Sequence, residues 1–211
     1  VLRQRNEFLK IININKESDM NYLDILNDKY IGLSIVIYNF RRKYVDLVNK
    51  YIDDIFSSIT GLEGLKMIYT SNVSNLDNDM FKNKLKSNLS REIQYKMTFI
   101  GPNRDDFYFD LNGKNLSLYG SNGQIRSAVL ALKLAEVKLF TDVLSDTPIL
   151  LLDDIFSELD IDKRNKVIKY LDNDIQTIVT TTDIENIDKN VRNKANVYKI
   201  EDGNIISREI I

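Results

Sequence analysis

The stretch PILLLDDIFSELD, from Pro148 to Asp160, contains four apolar residues followed directly by two aspartates. A short apolar run of this kind predicts a buried strand, so Asp153 and Asp154 lie at its carboxyl end, where open α/β sheets bind ligands. Because neighbouring side chains on a strand point to opposite faces, the two carboxylates serve different purposes. One can hold Mg²⁺ and the other can position or deprotonate a water molecule. The alternative is an ordinary acidic turn exposed to solvent.

A second segment, GSNGQIRS from Gly120 to Ser127, opens a long predicted helix. The N-terminus of a helix offers unpaired N–H groups and a partial positive charge, and both suit a phosphate. Ser121 and Gln124 can add hydrogen bonds from their side chains. The alternative is a capping sequence with Ser or Asn as the N-cap residue.

Two further segments complete the set of motifs. SELD, from Ser157 to Asp160, follows the paired aspartates, and VTTTD, from Val179 to Asp183, ends a second predicted strand. Each also has a purely structural interpretation, because SELD can cap the next helix and a run of threonines is typical of a β-strand.

The composition excludes several kinds of chemistry. The 211 residues include no cysteine and no histidine, so disulfides, zinc sites of the usual kind and Ser-His nucleophile systems are excluded. Any bound metal must have oxygen ligands, as Mg²⁺ does. The sequence contains neither a long apolar run nor a signal-peptide pattern, which predicts no membrane association, and the lack of cysteine favours the cytoplasm.

The two parts of the chain differ in charge. Residues 1–98 hold 15 Lys and Arg against 12 Asp and Glu, whereas residues 99–211 hold 14 against 19. This change predicts two structural units, which we assign as a helical domain over 1–96 and an α/β domain over 97–211. Basic residues of the first part are candidates for contact with a negatively charged partner: Arg41, Arg42, Lys43, Lys82, Lys84 and Lys86.

The hydrophobic pattern predicts the elements of each domain. In the first, three- and four-residue spacing predicts helices over 1–60 and 77–95, with a strand over 65–71 between them. In the second, we predict a strand (MTFIG, 97–101), a hairpin (DFYFDLNGKNLSLYG), the long helix, a buried strand (ILLL), a helix (161–172), a buried strand (QTIVTTT) and a final hairpin turning at Asp202-Gly203-Asn204. Strands that alternate with helices predict an α/β fold with a mostly parallel sheet.

The order of these motifs resembles the C-terminal lobe of an ABC-type ATPase head, with its signature motif, Walker B strand, D-loop and switch strand. More narrowly, GPNRDDF, GSNGQIRSAVLALKLAE, PILLLDDIFSELD and QTIVTTT resemble the RecF family. The resemblance is close over 97–211. Residues 1–96 fit, by their position and helical character, the lid (arm) domain that this family inserts in its head.

The resemblance implies roles for single residues. Asp153 corresponds to the Walker B acid associated with Mg²⁺, and Asp154 corresponds to the catalytic carboxylate that orients water. The residues that correspond to nucleotide contacts are Ser121, Gly123 and Gln124 of the signature, which meets the γ-phosphate held by a partner subunit, Asp160 at the end of the D-loop, and Thr182.

Three positions qualify the resemblance. Asn122 stands where the common ABC signature has its first glycine, a change that RecF proteins tolerate. Thr182 stands where many ABC ATPases have a histidine, which leaves its switch role open. Asn103 replaces the histidine of the family's GPHRDD, and Arg104 beside it is a candidate contact for a phosphate or a partner.

The function implied is that of an ATP-dependent DNA-binding protein of recombinational repair, replication restart and the SOS response. Its implied cofactors are ATP and Mg²⁺, and its implied partners are double-stranded or gapped DNA and mediator proteins of the RecR and RecO type. ATP would drive the formation of a homodimer and would be hydrolysed weakly.

The sequence lacks a P-loop, because GxxxxGK[ST] does not occur in it. We therefore expect this chain to be a fragment whose main phosphate-binding loop lies upstream of Val1, and we expect the isolated chain to be inactive. Two alternatives stay open: the head of another SMC- or Rad50-like ATPase, which the absence of heptads disfavours, and a non-enzymatic interaction module.

Overall fold

The computed structural model describes residues 1–75, 77–144, 147–153, 159, 161–170, 175–182, 184, 192–193 and 195–209. The helices are α1 (Leu2–Leu9), α2 (Glu17–Val48), α3 (Ile52–Thr60), α4 (Asn78–Tyr95), α5 (Leu116–Tyr119), α6 (Asn122–Leu144) and α7 (Ile161–Tyr170), with a 3₁₀ turn at Pro102–Arg104. The strands are β1 (Leu65–Thr70), β2 (Asp106–Leu111), β3 (Lys114–Asn115), β4 (Leu150–Leu152), β5 (Thr177–Val179), β6 (Val197–Glu201) and β7 (Asn204–Glu209). In this described part of the chain, none of the helices combines the length and the apolar character needed to cross a membrane.

The strands form three small sheets among the described residues. Their orders are β1-β2-β3, β4-β5 and β6-β7. Strands β4 and β5 are parallel, with Leu151 opposite Ile178, whereas β6 and β7 are antiparallel. The α/β character and the parallel pairing of ILLL with the strand in QTIVTTT are therefore confirmed.

Both predicted hairpin turns are present. Asn112 and Gly113 have φ values of 52° and 81°, and Asp202 and Gly203 have values of 47° and 77°. Positive φ at both central residues defines the type I′ turn, which matches the twist of the flanking strands and which Asn-Gly and Asp-Gly favour. The sequence therefore predicts the first turn to the residue and the position of the second, where Asn204 of the predicted turn already belongs to β7.

The predicted strand over 97–101 is wrong, because side chains rather than a neighbouring strand bind its backbone. Thr98 donates its N–H to Asn6 Oδ1 (2.9 Å), and Phe99 donates its N–H to Glu92 Oε1 (2.7 Å). Gly101 donates its N–H to the side chain of Asn72 at 2.9 Å. With these donors taken, the segment has no ladder of hydrogen bonds to offer a second strand.

Two further predictions need correction. The strand after Asn112-Gly113 ends at Asn115, because the Asn115 side chain accepts the Ser117 N–H (2.9 Å) and starts the short helix α5. Strand β4 is buried on one face only: Leu150 and Leu152 are buried, whereas Leu151 between them is 67% exposed. The described part of the chain thus covers one side of the β4-β5 pair.

The described chain divides into two compact units. The first comprises Val1–Asn49 and Met67–Asp110. Its core includes six buried side chains drawn from α2, α4 and the loops around them: Tyr30, Ile31, Val73, Phe81, Leu85 and Ile100. Tyr30 and Phe81 meet edge to face with ring centroids 6.2 Å apart, a favoured geometry for two buried aromatic rings.

The second unit comprises Lys50–Lys66 and Leu111–Ile211. Helix α3 packs against α6 and α7 and buries Ile52, Ile55, Phe56 and Ile59 at this contact. Asp53 of the same helix accepts the N–H groups of Gly64 and Leu65 at 2.7 and 2.8 Å. The predicted boundary between domains 1–96 and 97–211 stays a prediction.

Candidate nucleotide site

The start of α6 is closed by a reciprocal cap. Ser121 donates its backbone N–H to Gln124 Oε1 (2.9 Å), and Gln124 donates its backbone N–H to Ser121 Oγ (3.2 Å). This is a capping box, which satisfies two donors that the helix geometry leaves without partners. The capping role that the sequence offers as an alternative is therefore present, and the phosphate role stays a prediction.

The backbone N–H groups at the start of α6 are the feature of this turn that suits an anionic ligand. Asn122 and Gly123 occupy the first two helical positions, where an N–H has no acceptor within the helix. Both residues are exposed, and a Cβ placed on Gly123 would meet nothing nearer than Ser121 Oγ at 4.0 Å. A phosphate could therefore approach these amides directly, whereas the oxygens of the Ser121 and Gln124 side chains already accept backbone N–H groups in the cap.

The carboxyl edge of the β4-β5 pair brings two predicted motifs together. The parallel register continues past the strands, because Thr180 donates its N–H to the Leu152 carbonyl at 3.0 Å. Thr180 also donates its hydroxyl to Asp153 Oδ1 at 2.5 Å. The first aspartate of ILLLDD thus lies beside the threonine run of VTTTD, as the end of two parallel strands requires. The role of Thr180 as partner of Asp153 was not predicted, although the run of threonines was the available signal.

Of the acidic residues predicted at this edge, Asp153 is the one that lies among the described residues. Asp153 and Thr182 are exposed. Within the described ranges, no three acidic residues lie together in a way that could hold a metal ion. A carboxylate oxygen fits Mg²⁺, which commonly takes one or two protein carboxylates, several waters and phosphate oxygens. Asp153 fits such a role, while Asp154, Ser157 and Asp160 lie outside the described residues.

A buried polar network fixes the GPNRDD segment, and no motif in the sequence predicts this network. Arg5 is fully buried and donates to Asn27 Oδ1 (2.8 Å), Thr98 Oγ1 (2.7 Å) and Glu92 Oε2 (2.7 Å). The Thr98 carbonyl then accepts from Asn103 Nδ2 (2.9 Å) and Arg104 Nε (3.3 Å). The network therefore ties α1, α2 and α4 to the turn that carries Asn103 and Arg104.

Two tyrosines, Tyr30 of α2 and Tyr69 of β1, form hydrogen bonds with the same segment. The Tyr30 hydroxyl donates to Asn103 Oδ1 at 2.6 Å and lies 2.9 Å from the Ile100 carbonyl oxygen. Burial raises the pKa of Tyr30 to about 12, so this hydroxyl stays protonated and remains a donor. Tyr69 donates to Asp105, and burial likewise raises the pKa of Tyr69 to about 12.

Three of the six basic candidates for DNA contact are engaged within the protein. Arg41 donates to the Pro102 carbonyl (2.6 Å) and pairs with Asp105 (3.2 Å). Lys82 pairs with Asp28 at 2.9 Å, and Lys84 donates to the Asn72 carbonyl at 2.5 Å. A contact of these side chains with DNA would therefore compete with bonds inside the protein.

The architecture and the order of its motifs define the class of protein: an α/β lobe of an ABC-type ATPase head. Over nearly its whole length, the chain is a homologue of DNA replication and repair protein RecF. It is 38% identical over 209 residues to RecF of Lachnospira eligens, which aligns 98% of this chain with 56% of the relative. It is 37% identical to RecF of Lactobacillus johnsonii over 218 residues, covering 99% of this chain and 58% of the relative. RecF of Geobacillus sp. is 37% identical over 213 residues, covering 97% and 57%.

Solved structures show the same fold. The structure of the recombination mediator protein RecF with ATP in the RecFOR pathway matches with a TM-score of 0.79 and 28% identity, covering 99% of this chain and 56% of that one. The structure of RecF-ATPrS matches with a TM-score of 0.78 and 29% identity, covering 96% and 54%. No family model matches the chain. The chain spans 54–58% of the length of these relatives and structures.

Proposed function

We propose that this chain forms part of a RecF-like, ATP-dependent DNA-binding protein of recombinational repair. In this proposal, residues 97–211 supply one part of an ATP site, and residues 1–96 form a helical lid domain. ATP with Mg²⁺ drives two copies together, and weak hydrolysis releases them. DNA, double-stranded or gapped, and mediators of the RecR and RecO type are the partners.

The observation that carries the proposal is the edge formed by Asp153 and Thr180. It lies at the carboxyl end of a parallel strand pair, where α/β proteins bind nucleotides. The exposed start of α6 adds backbone amides suited to a phosphate. RecF homologues solved with ATP support the same ligand for this lobe.

The proposed residue roles fall into two groups: acidic residues at the end of β4 that act on Mg²⁺ and water, and residues that meet the nucleotide held by a second copy. Asp153 would hold Mg²⁺, and Asp154 would orient or deprotonate the attacking water. The turn of Ser121, Gly123 and Gln124 would meet the γ-phosphate held by a second copy, with Asp160 and Thr182 contributing to the same interface. The bound Mg²⁺ would supply charge neutralisation for the phosphates.

The isolated chain should bind ATP poorly and should not hydrolyse it. The sequence contains no P-loop, and half of a phosphate site leaves the triphosphate largely hydrated. Calorimetric titration of the 211-residue chain with Mg-ATP should show no saturable binding in the micromolar range. Micromolar affinity would contradict the proposed division of the site.

Two substitutions in the full-length protein separate the proposed roles. Asp154→Asn should keep ATP binding and the ATP-bound dimer but lower the rate of phosphate release by ~10² to 10⁴, or about 3 to 5 kcal/mol of barrier. Ser121→Arg should bind ATP in each copy without dimer formation, because a bulky cation then blocks the turn. Light scattering with and without Mg-ATP, alongside phosphate release, distinguishes the two.

Each outcome bears on one assignment. Normal hydrolysis by Asp154→Asn would show that the catalytic assignment is wrong. Dimer formation by Ser121→Arg on addition of ATP would show that Ser121 to Gln124 is a helix cap and nothing more. Lys133→Gln, an exposed change of charge on the same helix α6, is a suitable control and should leave both readouts unchanged.

A further inference from the structure

Two arginines of the first unit lie over one aromatic ring. The guanidinium carbon of Arg91, on α4, is 4.4 Å from the ring centroid of Phe99, and that of Arg104 is 4.8 Å from the same centroid. Tyr95 meets Phe99 edge to face at 5.6 Å and supports the ring. We refer to Arg91, Phe99 and Arg104 as the arginine clamp.

The clamp is accessible and its charges are fixed in place. Arg91 and Arg104 are exposed, whereas Phe99 is half-buried. Arg104 is held further by the hydrogen bond from its Nε to the Thr98 carbonyl, which leaves its terminal nitrogens for a ligand. The two guanidinium carbons are no farther apart than the sum of their distances to the ring centroid, which is within the Debye length of about 10 Å at 0.1 M salt.

Among the described residues, neither arginine of the clamp forms an ion pair with a carboxylate. Glu92 is fully buried and pairs with Arg5, while Asp105 pairs with Arg41. Asp106 keeps its negative charge, but its side chain accepts the Phe107 N–H at 2.8 Å. Lys96, at the end of α4, is exposed and adds a third positive charge to the same stretch of chain.

We propose that the arginine clamp is a phosphate-binding site for the backbone of duplex DNA. The proposal rests on the proposed function, which makes this chain part of a DNA-binding protein. A guanidinium stacked on a ring loses little freedom when it binds, and its planar fork matches phosphate oxygens. The Phe99 ring is already covered by arginines and by Tyr95, so the clamp offers charge rather than a stacking surface for a base, and it should bind without sequence preference.

The test measures binding of the full-length protein, in the presence of Mg-ATP, to a fluorescently labelled duplex by anisotropy over a range of salt concentrations. Arg91→Gln/Arg104→Gln should make the slope of log K against log salt shallower by about 0.9 for each phosphate that is no longer neutralised, so by roughly 1.8 in total. Lys133→Gln/Lys138→Gln removes the same charge from α6 and should leave the slope unchanged. Arg91→Lys/Arg104→Lys should keep the slope but bind more weakly, because an ammonium does not stack as a guanidinium does.

The outcomes separate the clamp from the function on which it rests. A wild-type slope in Arg91→Gln/Arg104→Gln would overturn the clamp and leave DNA binding intact. An equally shallow slope in the Lys133→Gln/Lys138→Gln control would also overturn it, because net charge would then explain the effect. Absence of any duplex binding by the wild-type full-length protein with Mg-ATP at low salt would overturn both. If circular dichroism shows that the double variant does not fold, the single variant Arg91→Gln takes its place, because it keeps the Arg104–Thr98 bond. It should make the slope of log K against log salt shallower by about 0.9, and an unchanged slope would overturn the clamp.

Discussion

The substitution Arg5→Met tests the buried network that fixes the GPNRDD segment. The methionine chain fills much of the arginine's space but supplies none of its three hydrogen bonds. It leaves the Glu92 carboxylate fully buried with only the Phe99 N–H as a partner, and it leaves Asn27 Oδ1 and Thr98 Oγ1 without their donor. Breaking a buried ion pair by removing one member costs about 3 to 5 kcal/mol, which is a large part of the stability of a typical domain.

A second ion pair in the chain, with the same distance between its nitrogen and oxygen atoms, serves as a control. Lys10 and Glu7 also approach to 2.7 Å, but their side chains are 45% and 60% exposed, against 0% for both Arg5 and Glu92. Lys10→Met should therefore cost no more than about 1 kcal/mol. The comparison separates the effect of burial from that of separation, because the two pairs share one distance and differ in burial.

Urea unfolding followed by the helical circular dichroism signal measures both free energies. The double variant Arg5→Met/Glu92→Met should be less destabilised than the sum of its single variants, since it leaves no buried charge without a partner. A free energy of unfolding for Arg5→Met within about 1 kcal/mol of that for Lys10→Met would refute the reasoning. Strict additivity in the double variant would show that the two side chains do not act as a pair.

Three further predictions concern the backbone and the ionisable groups. Gly101→Ala should lower the free energy of unfolding in urea by about 3 kcal/mol or more, because Gly101 has a φ of +119° and a Cβ there would collide with the Tyr30 hydroxyl. Gly203→Ala is the control: Gly203 has a φ of +77° but open space around it, so the loss should be about 1 kcal/mol. Because the pKa of Tyr30 is raised to about 12 in the folded state, the neutral phenol stabilises the fold fully below about pH 10, and this contribution is lost as the pH rises towards about 12. Between these pH values, the free energy of unfolding should fall more steeply for the wild-type chain than for Tyr30→Phe. Parallel curves for the two proteins would contradict this. Ser121→Ala should cost about 1 kcal/mol in thermal unfolding through removal of the capping box, and no change would mean that the cap does not form in solution.

Local sequence signals predict some elements fully. The turns at Asn112-Gly113 and Asp202-Gly203 follow from residues that tolerate positive φ, and their prediction needs no knowledge of the rest of the chain. The start of α6 follows in the same way from Ser121 and Gln124. The pairing of β4 with β5 follows from two short apolar runs separated by a helix, which is the pattern of a parallel unit.

Other features depend on partners that are distant in the sequence. The run MTFIG has the composition of a strand, but Asn6 and Asn72 supply acceptors for its amides from segments with no recognisable motif. The arginine clamp is equally hidden, because Arg91 and Phe99 come together only after α4 ends and the chain turns. Of the candidate site, the sequence predicts the region where Asp153 meets the VTTTD motif but not the specific bond from Thr180.

The Arg5 network has a practical consequence for anyone who divides this chain into smaller pieces. Helix α1 ends at Leu9, and the break before Glu17 is an inviting place to begin a shortened expression clone. Such a clone would discard Arg5 and Asn6, the residues that bind Glu92 and Thr98 near the far end of the first unit. Insolubility or proteolysis of that shortened product would then report the loss of α1, with its buried Leu9 and the charge partner of Glu92, and not an intrinsic instability of α2 or α4.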